Sequence, residues 1–158
     1  MVAADMIKFR NLLLLAALAP ISGCQTVARP SVSYVSVNLP AAEATQLAAD
    51  AVSYLSDELP PARTTIIITS RAVGIDEDQV TSAMTAALRN TGYGVVTANL
   101  ARQDKIPGVA LRFLVSRLEE GILLRFQYNG HEAARFYIRT PTEGLVPVSS
   151  FTVRKLLP

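Results

Sequence analysis

The sequence predicts an α+β domain, a small mixed sheet with two helices packed on one face. Two observations lead to this fold class. In the first half, segments with helical apolar spacing alternate with short β-branched runs, which is typical of a β-α-β unit. In the second half, segments that alternate apolar and polar residues are joined by short turns, which indicates an antiparallel meander.

The first predicted helix follows Asn38, which can cap it, and has Pro40 at its start, where a missing N–H costs nothing. Its core-facing residues recur every four positions: Leu47, Ala51, Leu55 and Leu59. Pro60-Pro61 ends the helix. The run 63–69 is short and β-branched, so it predicts a strand buried on both faces.

The second predicted helix begins at Asp76, and acidic residues in its first turn suit the positive end of the helix dipole. Its apolar face consists of Val80, Ala83, Met84, Ala87 and Leu88. Gly92 is expected to cap the end of the helix in a left-handed conformation. The strand Tyr93–Ala98 follows at once, so the strand, helix and strand predict a β-α-β unit with a right-handed crossover.

The first predicted hairpin joins the segments 109–119 and 122–128. Odd positions are apolar in the first segment and even positions are apolar in the second. A two-residue turn at Glu120-Gly121 makes residue 119 face residue 122, which places both apolar sets on one face.

The second hairpin is open to two registers. Asn129-Gly130 is a strong two-residue turn signal, but that turn would place Leu124 beside Arg135. A three-residue loop at 129–131 instead pairs Leu124 with Phe136 and keeps one continuous apolar face. We therefore predict the three-residue loop, and a short edge strand at 150–155 after it.

This register has a consequence for the arginines of the meander. It places four of them on the sheet face opposite the apolar one, near Tyr137: Arg112, Arg125, Arg135 and Arg139. One interpretation is an ordinary solvated face. The other is a docking face for an acidic protein partner, lipid headgroups or peptidoglycan, because Arg suits bidentate recognition of carboxylate and phosphate.

The N-terminal segment has the pattern of a bacterial lipoprotein signal. An apolar run behind Lys8 and Arg10 ends in small residues before Cys24, and the run is too short to span a bilayer. We predict a signal peptide at residues 1–23, cleavage between Gly23 and Cys24, and lipidation of Cys24. Residues 24–37 are predicted to form a flexible tether, mostly extended and with the option of a short strand at Ser33–Val37, and residues 38–158 a single periplasmic domain.

Composition argues against several function classes. The formal net charge of +2 gives no general electrostatic case for nucleic acid binding. Cys24 is the only cysteine, so a lipidated chain has no thiol left for a disulfide, a metal site or a nucleophile. The single His131 lies in a turn, and Asp76-Glu77-Asp78 is explained by the helix dipole. We predict no catalytic residues, metal, cofactor or small-molecule substrate, and no enzyme activity.

Several segments together resemble a known family. They are Ser-Gly-Cys-Gln-Thr-Val at 22–27, Asp-Glu-Leu-Pro-Pro-Ala at 57–62, the Thr-rich strand at 64–69, the helix end and strand at 87–96, and Phe-Thr-Val-Arg at 151–154. In this order they are similar to the TrbH family of conjugal transfer lipoproteins, which belong to mating-pair formation and type IV secretion. The resemblance implies a structural or assembly role among other envelope proteins. It carries over one functional position, Cys24.

The residue after the lipidated cysteine bears on location. Gln25 stands where an Asp would favour retention in the inner membrane, so we expect a lipid anchor in the outer membrane with the domain facing the periplasm. The alternative function is that of a periplasm-facing lipoprotein that regulates a cell-wall synthase or another envelope machine.

Overall fold

A computed structural model describes residues 32–69, 78–98 and 106–156, and these form a mixed sheet of eight strands with two helices against one face. The predicted fold class is therefore confirmed. The strands are β1 Tyr34–Val35, β2 Thr65–Thr69, β3 Gly94–Ala98, β4 Val109–Leu118, β5 Gly121–Tyr128, β6 His131–Thr140, β7 Gly144–Pro147 and β8 Thr152–Lys155. The helices are α1 Ala41–Glu58 and α2 Gln79–Thr91, and a short 3-10 turn covers Pro61–Arg63.

The strand order explains how the two halves of the chain join. The sheet runs β3-β2-β4-β5-β6-β7, with β1 paired to β4 and β8 paired to β6. Strand β2 is parallel to both β3 and β4, whereas β4 to β8 pair antiparallel with their neighbours in the meander. The β2-α2-β3 segment is thus the predicted β-α-β unit, and β4-β5-β6 is the predicted meander.

The helix ends differ from the prediction in two places. Helix α1 has Pro40 at its N-cap position and no side-chain cap, so Asn38 does not cap it. Helix α2 begins at Gln79 rather than Asp76, because Asp78 is the N-cap and accepts a 2.8 Å hydrogen bond from the Thr81 N–H. Gly92 ends α2 with φ +99°, the left-handed cap that the sequence predicts.

The hydrophobic core lies between the helices and one face of the sheet. The α1 stripe of Leu47, Ala51 and Leu55 is fully buried there, together with Phe113 and Phe126 from the meander. The three isoleucines of β2 are also buried, so side chains on both faces of that strand are covered as predicted. Burying these apolar stripes is the main force that holds the two layers together.

The first hairpin keeps the predicted faces but turns earlier. Leu118 pairs with Gly121, so the turn is Glu119-Glu120, and Glu119 adopts φ +52°. The predicted turn at Glu120-Gly121 is therefore wrong by one residue, and the strand register differs by two. A shift of two residues preserves the alternation, so the predicted apolar set of β4 and β5 still faces the core.

The second hairpin adopts the register that the sequence interpretation rejected. Tyr128 pairs with His131 across Asn129-Gly130, and both turn residues have positive φ, at 43° and 75°. This is the two-residue primed turn that Asn-Gly favours. The predicted three-residue loop is wrong, and the one-residue slip turns the odd-numbered side chains of β6 toward the helices.

Candidate functional site

The five residues predicted to form one docking face are divided between the two faces of the sheet. Arg112 and Arg125 lie on the face away from the helices, which we call the open face. Arg135, Tyr137 and Arg139 lie on the helix-facing side, since β6 has the shorter turn. The predicted single face is therefore wrong, and its physical reason is that α1 supplies acidic partners for β6.

Asp50 of α1 neutralises the middle of β6. Both of its carboxylate oxygens accept hydrogen bonds from Arg135 Nη1 at 2.7 Å, and one also accepts from the Tyr137 hydroxyl. Tyr137 is only 1% exposed. Burial raises the pKa of Tyr137, and the hydrogen bond to Asp50 raises it further, so the hydroxyl stays a donor.

Glu43, about two turns before Asp50 on α1, neutralises the end of β6. Its two oxygens accept from Arg139 Nε and Nη2 at 2.8 and 2.7 Å, a bidentate pair that raises the pKa of Arg139. Gln46, on the same side of α1, accepts a hydrogen bond from the Leu145 N–H at 3.0 Å. These contacts hold α1 against β6 and β7. Arg135, Tyr137 and Arg139 therefore stabilise the fold through their partners on α1.

The open face has a charged end, which we call the basic cluster: Arg112, Arg125 and Arg154 around Glu132. Glu132 is 4% exposed and accepts from Arg125 at 3.0 Å and from Gln127 at 2.8 Å, while Arg154 forms an ion pair with it at 2.7 Å. Burial alone would raise the pKa of Glu132, but the hydrogen bonds and the neighbouring guanidinium groups hold it below its usual value.

Arg112 contributes charge to this cluster without a carboxylate of its own among the described residues. It lies directly across from Gln127, and its Nε atom is buried without a hydrogen-bond partner in the described parts of the chain. Three guanidinium groups and one carboxylate thus share this end of the open face, so the cluster carries an excess of positive charge. An excess of this kind favours a negatively charged group on whatever covers the face.

The other part of the open face is an apolar patch, formed by Leu118, Leu123, Phe136 and Ile138. Leu118 and Ile138 are 48% and 44% exposed, and the other two are half-buried. The pairing places them close together, because Leu123 is opposite Phe136 and both Leu118 and Ile138 flank Gly121. Contiguous exposed apolar side chains mark interaction sites. The open face is therefore the candidate docking surface.

Other predicted positions have simpler outcomes. The His131 ring lies 3.1 Å from the Asn129 carbonyl oxygen, within the β5–β6 turn. In the described ranges, acidic residues, His and Cys form no group of three that could hold a metal, and neither helix is long and apolar enough to span a bilayer.

The predicted cleavage and lipidation positions, Gly23 and Cys24, lie outside the described residues. Residues 33–36 are hydrogen-bonded to the sheet, so the end of the predicted tether belongs to the domain.

The sequence interpretation missed the acidic partners of β6, although a signal for them exists. Glu43, Gln46 and Asp50 follow at spacings of three and four, so they share one side of α1 next to its apolar stripe. Arg135, Tyr137 and Arg139 alternate along β6 and span about 13 Å, a length similar to the roughly 10 Å from Glu43 to Asp50 along α1. Two polar rows on facing elements predict ion pairs between layers.

Comparison with known proteins adds the family. A family model described as conjugal transfer protein TrbH matches residues 26–156, which includes every element of the described fold. No curated protein and no solved structure matches the chain. The match confirms the resemblance drawn from the residue motifs. The chain belongs to the TrbH family of conjugal transfer proteins.

Proposed function

We propose that this chain is a lipoprotein anchored through Cys24 in the outer membrane, where it acts as a structural or assembly component of a conjugative, type IV secretion apparatus. The observation that carries the proposal is the family match, which begins at Thr26, two residues after the cysteine of the lipoprotein pattern. Diacylglycerol on Cys24, with a further acyl chain on its amine, supplies the two membrane signals that stable anchoring needs.

A short distance between the proposed anchor and the domain supports this proposal. Among the described residues, Ser33 is the first that is bonded to the sheet: its N–H donates to the Thr69 carbonyl at 2.8 Å, and its hydroxyl accepts from the Phe113 N–H at 3.2 Å. The chain from Cys24 to Ser33 spans at most about 30 Å when extended. The domain would therefore stay close to the periplasmic surface of the membrane, where the other envelope components of a transfer complex assemble.

Replacing the cysteine tests the anchor. In donor cells carrying the full transfer system, wild-type protein is expected to lose residues 1–23 and to carry acyl chains on Cys24, as measured by intact-mass spectrometry. Cys24→Ser is expected to remain unprocessed and to reduce DNA transfer in a mating assay, whereas the control Gln25→Ala keeps both properties. An unmodified Cys24 in the wild type, or full transfer by Cys24→Ser, would contradict the proposal.

A second substitution tests the membrane. Gln25→Asp is expected to move the lipidated protein from the outer-membrane to the inner-membrane fraction of a sucrose gradient without changing its mass at Cys24. Wild-type protein found only in the inner-membrane fraction would refute the outer-membrane location while leaving the lipid anchor intact.

A further inference from the structure

The open face carries opposite charges at its two ends. The basic cluster lies in the row where Arg112 faces Gln127, with Glu132 and Arg154 on the next strands. Six residues further along β4, a distance of about 20 Å, Leu118 ends the strand. The exposed acidic turn Glu119-Glu120 follows immediately. The apolar patch lies between the two charged ends.

We propose that the open face packs against the open face of a second copy of this chain, related by a two-fold axis. A two-fold interface brings the same surface of each subunit together, so a surface joins itself well when it is self-complementary. Turning one copy by 180° about an axis that lies between the two sheets, parallel to them and perpendicular to the strands at Ser116, places each basic cluster over the partner's acidic turn. The axis then follows the row of Ser116, Leu123 and Phe136, so Leu123 and Phe136 of one apolar patch lie over the same residues of the other.

The geometry of sheet packing agrees with this arrangement. Two sheets that pack face to face lie about 10 Å apart with their strands nearly aligned, and the side chains of both inner faces fill the space. Ser116 is half-buried and lies opposite Leu123, midway between the two charged rows. A parallel arrangement would instead place the two basic clusters together, and their like charges would repel.

The size of the face predicts a weak dimer. Across five strand widths and about 20 Å of strand length, the flat area is on the order of 450 Å² per copy. Stable complexes usually bury about 800 Å² per partner, so the interface belongs to the transient class. The dimer does not require the lipid, but confining two copies to one membrane would raise their effective concentration.

A cross-linking experiment on the mature, detergent-solubilised protein tests the contact. Ser116→Cys places a thiol close to the proposed axis, and a bis-maleimide with a spacer of about 10 Å is expected to join two copies. Ala49→Cys, on the exposed side of α1, is the matched control and is expected to give only background cross-linking. Unmutated protein treated in the same way measures any reaction at Cys24.

Charge exchange decides whether the arrangement is correct. Glu119→Lys with Glu120→Lys, in an exposed turn that does not threaten the fold, is expected to lower the Ser116→Cys cross-linked fraction about tenfold. Adding Arg112→Glu, with Arg154 kept because it pairs with the buried Glu132, is expected to restore part of the cross-linking, because a carboxylate then faces the lysines introduced in the partner's turn. Reversing both charges on the helix layer, Asp57→Lys with Glu58→Lys, is expected to change nothing.

Two results would overturn the proposal. One is background cross-linking at position 116 at every protein concentration, which would leave the open face to a different protein or to a membrane. The other is cross-linking that charge exchange does not alter. The acyl chains on Cys24 are measured separately by mass, so a failed dimer and a failed lipid anchor give different results.

Discussion

Removing the carboxylate of Asp50 tests how the two layers are held together. In Asp50→Ala, the Tyr137 hydroxyl remains buried without its acceptor, which costs about 1–3 kcal/mol. The ion pair with Arg135 is lost as well, but both side chains keep some solvent contact, at 17% and 28%, so its share is only about 1 kcal/mol. Arg135 keeps its bond to the Ser149 carbonyl at 2.6 Å.

The expected total is a loss of about 3 kcal/mol in the free energy of unfolding, or about 10 °C in Tm for a domain of this size. Urea and thermal unfolding followed by circular dichroism measure both quantities. The control Asp57→Ala removes an exposed carboxylate from the same helix and is expected to change stability by less than about 0.5 kcal/mol.

A double-mutant cycle isolates the contact itself. Tyr137→Phe alone is expected to cost about 1 kcal/mol, and the double variant with Asp50→Ala about 2 kcal/mol, less than Asp50→Ala alone, because no orphan hydroxyl remains to be buried. Additive losses, with a coupling energy within about 0.3 kcal/mol of zero, would show that Asp50 does not serve as the acceptor of Tyr137 in solution.

Three further predictions concern separate elements. The pKa of Glu132 is lowered in the folded protein, so its contribution to stability is present above the unfolded pKa of about 4.3 and is lost as the pH falls toward the folded pKa. Glu132→Gln is therefore expected to cost about 1–3 kcal/mol at pH 7 and to reduce the loss of stability at acidic pH, as measured by urea unfolding. An unchanged loss of stability at acidic pH would contradict this prediction. Gly121→Ala would bring its Cβ into collision with the Tyr137 carbonyl oxygen, so a loss of about 1–3 kcal/mol is expected in the same assay, and wild-type stability would be inconsistent with the close pairing of β5 and β6. Asp78→Ala removes the acceptor of the Thr81 N–H and is expected to cost about 1 kcal/mol in thermal unfolding, with Asp78→Asn retaining most of the stability.

Much of the fold follows from local patterns. The α1 stripe, the buried β2 strand and the Gly92 cap depend on residues near one another in the chain, so period and turn chemistry predicted them correctly. The same is true of the apolar faces of β4 and β5, which a two-residue register error leaves unchanged. Strand β7 was not predicted, because its four residues, 144–147, are too few to show an alternating pattern.

The error at the second hairpin has a specific cause. Preference for one unbroken apolar face outweighed the Asn129-Gly130 turn signal, on the assumption that Arg135 and Arg139 cannot lie toward the core. That assumption fails when the opposite layer provides carboxylates, because a paired and hydrogen-bonded charge can be partly buried. The turn residues therefore predicted the register better than the strand pattern did.

The sequence by itself determined the fold class, the order of the two helices and of strands β2 to β6, the family resemblance and the candidate lipidation position, because each is carried by a contiguous motif or a local period. Tertiary structure alone decided that Arg135 and Arg139 face the helices. Asp50 and Arg135 are 85 residues apart, and their pairing exists only after α1 packs on the sheet. Arg112 and Arg125 stay on the open face that the strand pattern predicts for them, where the basic cluster and the apolar patch form one surface.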